Sequence, residues 1–252
     1  MLDIALKPLV TIAVIGLVFT AFERLRPARR PPEARWQRYA TDFLHLTLGG
    51  FFIRVGTTAL LAWLLSGAEP VKWDGRLPLW LQFIGVLCLS DLLIWLVHRS
   101  FHAVPLLWEF HRIHHSSEHL DWLAAHRVHP VDQIANSVVT AVPALLLGFS
   151  PEVVILYSAV YQWHAILLHS NVAISLGPLE QAIATNRFHH WHHAGHPEAY
   201  DRNFGAQLVV WDKLFGTAYA PPQPRPDRFG VDNPPEESFA AHLFTPFRSL
   251  AR

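Results

Sequence analysis

Two short segments of this chain carry imidazoles at one spacing, His111-Arg-Ile-His-His115 and His189-His-Trp-His-His193. In each, the pattern His-x-x-His-His puts rings at i, i+3 and i+4, positions that share a face of a helix. A third set, His98-Arg-Ser-Phe-His102, stacks two more rings at i and i+4. Neutral imidazole is a nitrogen donor suited to iron, copper, zinc and nickel. The eight rings exceed what one tetrahedral or octahedral ion can use, so the spacing predicts a two-metal site. A lone histidine would be read as a core or surface residue; three clusters at ligand spacing are read as ligands.

Apolar elements must carry these clusters. Of 252 residues, 51% are hydrophobic and 16% charged, and the apolar ones fall in long runs, the profile of a membrane protein. Net charge is zero and no basic patch interleaves with aromatics, which excludes a nucleic-acid partner. The single cysteine, Cys88, excludes an intramolecular disulfide framework and reads as a small buried hydrophobe.

Residues 6–22 form a first apolar run without a basic leader or cleavage site, read as a retained membrane helix. Arg24, Arg26, Arg29, Arg30, Arg35 and Arg38 follow, broken by Pro27, Pro31 and Pro32, which makes that loop cytoplasmic by the positive-inside rule. A second span covers 43–65, with Gly49, Gly50 and Gly56 suited to close helix approach. Within it, Arg54 either snorkels or pairs with an acid, and His45 reads as a structural hydrogen bonder. Residues 66–78 turn on the far side, and a third span, 79–97, returns His98 and His102 to the cytoplasmic face. Asp91 lies seven residues before His98, close to the same face, where it could accept the outer N–H of a ligating ring.

Residues 103–130 are polar and add His119, His126 and His129. The shorter apolar runs 134–149 and 151–168 read as a membrane hairpin or as two tilted spans, with His164 and His169 at the end. Residues 186–219 complete a polar cap, and 221–252 reads as a surface extension ending in a short interfacial helix, with His242 exposed. The expected architecture is an all-α integral membrane protein. It has four or five membrane-embedded helices and a cytoplasmic helical cap, divided into membrane helices (1–90), a histidine-box region (91–219) and a Pro-rich extension (220–252).

The three sets His98-x-x-x-His102, His111-x-x-His114-His115 and His189-x-x-His192-His193 resemble the histidine boxes of the fatty acid hydroxylase and sterol desaturase superfamily, integral-membrane non-haem di-iron oxygenases. Flanking stretches are similar too: His115-Ser-Ser-Glu-His119, Arg127-Val-His129-Pro130, Ser175-Leu-Gly-Pro-Leu-Glu180, Asn203-Phe-Gly205 and Trp211-Asp-Lys-Leu-Phe-Gly-Thr217. The last two resemble the branch containing alkylglycerol monooxygenase and its bacterial relatives, so the expected location is a bacterial inner membrane. The likeness covers about half the chain, 91–219. It implies metal ligation by His98, His102, His111, His114, His115, His189, His192 and His193, with His129 and His169 as further ligands. Asp91, His164, His190 and Asn203 are expected to support them from behind. His126 and His196 match no ligand position, and Trp191, larger than the pattern usually shows, is expected to pack.

The resemblance also implies two iron ions, O2 as oxidant and hydroxylation of a lipid: an ether lipid, a fatty acyl or ornithine-type lipid, a sterol or a carotenoid. Desaturation on the same site is the nearest alternative. No flavin, nicotinamide, haem or iron–sulfur motif is visible, so electrons are expected from a separate redox protein or a pterin. Beyond the metal ligands no catalytic residue is expected. Glu109, Glu118, Asp121 and Asp201 are nearby carboxylates that either order ligands or remain solvated. A membrane metallohydrolase is disfavoured because no His-Glu-x-x-His occurs, and a metal transporter because the histidines gather at helix ends rather than mid-membrane.

Overall fold

A computed structural model describes residues 2–30, 36–71 and 77–250. Arg35, Pro31, Pro32 and part of the 66–78 turn lie outside the described residues. The chain is all-α, with isolated bridges in place of strands among the described residues. Its long helices are α1 (Leu2–Leu25), α2 (Trp36–Leu44) running through a π-helical turn into α3 (Gly50–Leu64), α4 (Leu79–Ala103), α6 (Pro130–Leu146) and α7 (Pro151–His169). The shorter α5 (Pro105–His115), α8 (Asn186–His192) and α9 (Val210–Leu214) build the cap, and α10 (Phe239–Leu250) ends the chain.

Two helical stretches, Trp36–Leu64 and Leu79–Ala103, are long and apolar enough to cross a membrane. The first turns Phe51, Phe52, Val55 and Trp63 outward, an exposed apolar surface that water would penalise and lipid would not. Cys88 faces outward on α4, which corrects the expectation that it is buried: the helix turns its apolar face both ways, and Cys88 falls on the outer one. Arg54 is exposed on α3 and has no ion pair among the described residues, which leaves snorkelling.

α6 packs against both α3 and α4, and α7 against α4. Val86 on α4, Ala144 on α6 and Val153 and Tyr157 on α7 form their shared core. Of the three glycines in the second run, Gly56 sits tight against a neighbour: a Cβ there would lie 2.5 Å from Cδ1 of Ile134 on α6, whereas Gly50 faces open space. α1 packs on α7 through Ile15 and Phe19, which meet Ile166. Near its C-terminal end, Glu23 accepts from the backbone N–H groups of Trp122 and Asn171.

The polar end of this bundle is tied by buried charge. Arg127, fully buried, donates to Asp42 at 2.6 Å and to both oxygens of Glu237 at 2.9 and 2.7 Å. Arg38 donates to Asp121 at 2.8 Å. Helix α2, the 121–129 loop and the tail are thereby joined, because a buried guanidinium without its carboxylates would be strongly destabilising.

The tail is consequently part of the cap rather than a free extension. Arg225 donates to Nδ1 of His190 at 2.7 Å, Arg29 to the Asp227 carbonyl at 2.6 Å and Arg112 to the Asn233 carbonyl at 2.7 Å. His242, expected on the surface, is fully buried and its Nδ1 stands 3.0 Å from Nε2 of His45. The amphipathic α10 explains the correction, since its inner face docks on α5 and α2. His45 is the structural hydrogen bonder expected, its other nitrogen bonded to the Val128 carbonyl at 3.2 Å.

Burial, and then the Arg127 charge, pull the His242 imidazole down to about 3, below its ordinary value of about 6.5. A released tail therefore takes up a proton in that interval while a docked tail does not, so docking is complete above about pH 6.5 and weakens on acidification, by up to about 1.4 kcal/mol per pH unit. Limited proteolysis of residues 236–250 is expected to rise steeply from pH 7 to pH 5, and the rise to flatten by about one proton equivalent in His242→Gln.

Candidate metal centre

His98 and His102 end α4, His111, His114 and His115 end α5, His169 ends α7, and His189, His192 and His193 close α8. These nine converge into two groups, each with its donor atoms within 4.8 Å of one another. The first holds His98, His102, His111, His115 and His192; the second holds His114, His169, His189 and His193. Each His-x-x-His-His segment is thus split, its i and i+4 rings serving one group and its i+3 ring the other. Helical geometry gives the reason: at about 100° per residue, i and i+4 diverge by about 40° while i+3 and i+4 diverge by about 100°. The split is reversed between the two segments, so each supplies two rings to one group and one ring to the other.

Ring orientation is set from behind. Nδ1 of His98 donates to the Phe204 carbonyl at 2.9 Å, of His114 to the Arg127 carbonyl at 3.1 Å, of His169 to the Ala165 carbonyl at 2.7 Å and of His192 to the Arg202 carbonyl at 2.7 Å. Two further rings face carboxylates, His111 to Asp132 at 2.6 Å and His102 to Asp201 at 3.2 Å. An acceptor at Nδ1 fixes the proton there, and a neutral imidazole has only one. Nε2 of these six rings is therefore a bare lone pair turned inward.

Neutrality follows from burial. His111, His114, His115, His189, His192 and His193 all titrate well below the ordinary imidazole range, first because water is excluded and then because neighbouring imidazoles would repel a second charge. Neutral imidazole is the metal-binding form.

These lone pairs suit a cation. Nε2 of His114 and Nε2 of His169 stand 3.0 Å apart, although the Nδ1 bonds leave neither with a proton to share. The line continues from His169 to His189 at 3.0 Å and from His189 to His193 at 3.1 Å. In the first group, Nε2 of His98, His102 and His192 are buried with no hydrogen-bond partner among the described residues. Nitrogens around one ion at bonds of about 2.1 Å stand about 3–3.4 Å apart, so the donor set fits a metal in each group.

A cavity of 440 Å3 opens beside the first group, lined by His102, His115, His192, Trp108, Arg112, Asp201 and the 230–233 stretch of the tail. The second group does not line it.

Other expectations are placed differently. His129 belongs to neither group: it caps α6, Nδ1 accepting from the Val131 N–H at 3.1 Å and Nε2 donating to the Leu243 carbonyl at 3.1 Å, which leaves no lone pair for a metal. Asp91 accepts from the Gln207 and Leu208 N–H groups at 2.8 and 3.0 Å, anchoring the cap to α4 rather than backing a ring. Nε2 of His164 donates to the Ala184 carbonyl, and His190 turns away to Arg225. Asn203 clamps backbone, donating to the Phe188 and Tyr219 carbonyls. Trp191 packs with Ala194 and Ala199, as expected of it.

Asp132 and Asp212 were not legible as site residues. Asp132 lies in the first turn of α6, two residues after Pro130, where a carboxylate reads equally as a helix-start charge. Asp212, fully buried, accepts from the Phe204 and Gly205 N–H groups, the Thr217 hydroxyl and the Trp95 indole.

The fatty acid hydroxylase family matches residues 83–217. The chain is 32% identical to an ornithine lipid hydroxylase of Rhizobium tropici over 96% of its own length and 75% of the relative's. It is 34% identical to alkylglycerol monooxygenase of Danio rerio over 60% of the chain and 32% of that protein. It is 23% identical to a Delta(7)-sterol 5(6)-desaturase of Leptosphaeria maculans over 60% of the chain and 40% of that protein. The chain thus spans about a third of the alkylglycerol monooxygenase it matches. No solved structure matches it.

Asp132→Asn keeps an acceptor near His111 but removes the charge, and Asp132→Ala removes both. Loss of such a support typically weakens metal binding by about 10- to 100-fold. Metal titration of the purified chain is expected to show that loss for Asp132→Ala and a smaller one for Asp132→Asn.

Proposed function

The chain belongs to the fatty acid hydroxylase family, and from that premise we propose that it is a membrane-bound di-iron monooxygenase that hydroxylates a lipid with O2 and electrons from a separate donor. The observation that carries this reading is the pair of imidazole groups with their bare nitrogens turned inward. Two irons held there would supply the reduction of O2 and the oxidation of a C–H bond.

The protein's own contributions follow from its geometry. All nine rings, His98, His102, His111, His114, His115, His169, His189, His192 and His193, are neutral donors, so metals held by them would retain high positive charge. Asp132 and Asp201 offset part of that charge at the first group. The cavity beside that group gives a substrate one face of the site, with Trp108 as an apolar wall and Arg112 and Asp201 as polar ones. Its position favours the first group as the one that meets substrate.

Arg29 and Arg38 lie at the same end as the cap, Arg29 bonded to Asn171 and Arg38 to Asp121, which supports a cytoplasmic site and a multi-pass placement in an inner membrane. Four or five embedded helices then follow if α1, α6 and α7 enter the bilayer beside the two spanning stretches. The similarity to ornithine lipid hydroxylase over nearly the whole chain makes an ornithine-type lipid the first substrate to test, ahead of ether lipids and sterols.

Expression in a host lacking a homologue, under 18O2, is expected to yield a lipid heavier by one 18O atom that is absent from a His192→Ala control. A lipid lighter by two hydrogens would replace hydroxylation with desaturation. Full turnover by His192→Ala would remove that residue from the ligand set.

A further inference from the structure

Four consecutive residues, 201–204, orient three of the five rings in the first imidazole group. Asp201 accepts from Nδ1 of His102 at 3.2 Å, the Arg202 carbonyl from His192 at 2.7 Å and the Phe204 carbonyl from His98 at 2.9 Å. The rings come from α4 and α8, so this segment alone sets two helices' ligands against one another. No ring of the second group bonds to it among the described residues: His114 is held by the Arg127 carbonyl and His169 by the Ala165 carbonyl.

The segment has an unusual backbone. Asp201 and Asn203 both lie in the left-handed region, at φ 56 and 58, on either side of Arg202. Such residues persist where the surroundings over-determine them, and here they do. The Asn203 side chain donates to the Phe188 carbonyl at 2.9 Å and the Tyr219 carbonyl at 2.8 Å, and accepts from the Tyr219 N–H at 2.7 Å. Its own N–H donates to the Thr217 carbonyl at 3.0 Å, while Asp212 receives the Phe204 and Gly205 N–H groups at 2.9 and 2.7 Å. Alternating left-handed residues turn the Arg202 and Phe204 carbonyls and the Asp201 carboxylate toward one side, where the three Nδ1–H groups wait.

We propose that the 201–204 turn is a ligand-orienting device dedicated to the first imidazole group, with Asp201 and Asn203 as its positioning residues, so that disturbing it empties one metal site and spares the other. This rests on the metal reading given above. It makes the substrate-facing group the one in which three of five rings depend on a single turn, whereas in the other group His114 is held from the 124–127 segment and His169 from α7.

Glycine substitutions isolate the side chains, because glycine accepts a positive φ without strain. The full chain, purified in detergent and loaded with iron, is to be analysed for metal content and by Mössbauer spectroscopy. Two ions are expected in the unaltered protein, about one in Asn203→Gly, about one in His169→Ala and about none in the double variant. Asp201→Gly touches only the His102 bond of a largely exposed carboxylate and is expected to weaken one of the two sites by about 10- to 100-fold, with Asp201→Asn, which retains an acceptor, restoring it. Should Asn203→Gly fail to accumulate, the two Asp201 variants decide alone. Retention of both ions with an unchanged spectrum in Asn203→Gly and Asp201→Gly, simultaneous loss of both ions, or failure of Asp201→Asn to restore would overturn the proposal. Absence of iron from the unaltered protein would instead overturn the metal reading beneath it.

Discussion

Nine imidazoles pressed ring against ring in a dry space must each be told which nitrogen to turn inward, and most of the cap exists to give that instruction. A neutral ring has one proton, so an acceptor placed at Nδ1 leaves Nε2 bare. Six of the nine rings have such an acceptor, and their bare nitrogens meet in two places. The 3.0 Å approach of two proton-free nitrogens, on His114 and His169, is an arrangement that a cation would suit. Without a cation the approach would be repulsive, and a cation held by both nitrogens would relieve it.

This requirement accounts for the irregularity of the cap. A carbonyl inside a helix is committed to the ladder, so free carbonyls come from loops and from residues just past short helices. Arg127, Arg202 and Phe204 all stand in such places. The loops are held in turn by buried acids: Asp91 on the 207–208 backbone and Asp212 on the 204–205 backbone. Carboxylates in the cap therefore serve mainly as backbone acceptors, and among the described residues only Asp132 and Asp201 reach a ring of either group.

Charge closes the cap from outside. Arg127 between Asp42 and Glu237 joins the membrane-facing α2 to a tail more than a hundred residues later in the chain. Arg225 and Arg112 add bonds from tail to α8 and from α5 to tail. The tail residues 230–233 thereby become a wall of the cavity beside the first group. A segment that composition marks as surface becomes part of the site because its few buried side chains find partners already fixed by the helices.

Eight of the nine converging rings were legible from spacing and resemblance together, and His169 from resemblance, because ligand histidines recur at helical intervals that survive in any reading of the chain. The all-α class and the apolar α4 were equally legible, since hydrophobic runs report their own length. What spacing could not show is the partition: i, i+3 and i+4 look like one face in a sequence, and only two facing helices reveal that i+3 belongs to a different centre. His129 looked like a ligand and is a helix cap; His242 looked exposed and is buried; Asp91 looked like a ring partner and holds backbone. The burial of His242, the backbone held by Asp91 and the bond that occupies Nε2 of His129 each depend on what lies across the fold, more than 100 residues away in every case. Local sequence fixes the periodicity of side chains along one helix, but the partner that satisfies a buried polar atom is chosen by tertiary packing, and a histidine or aspartate has no role until that partner is present.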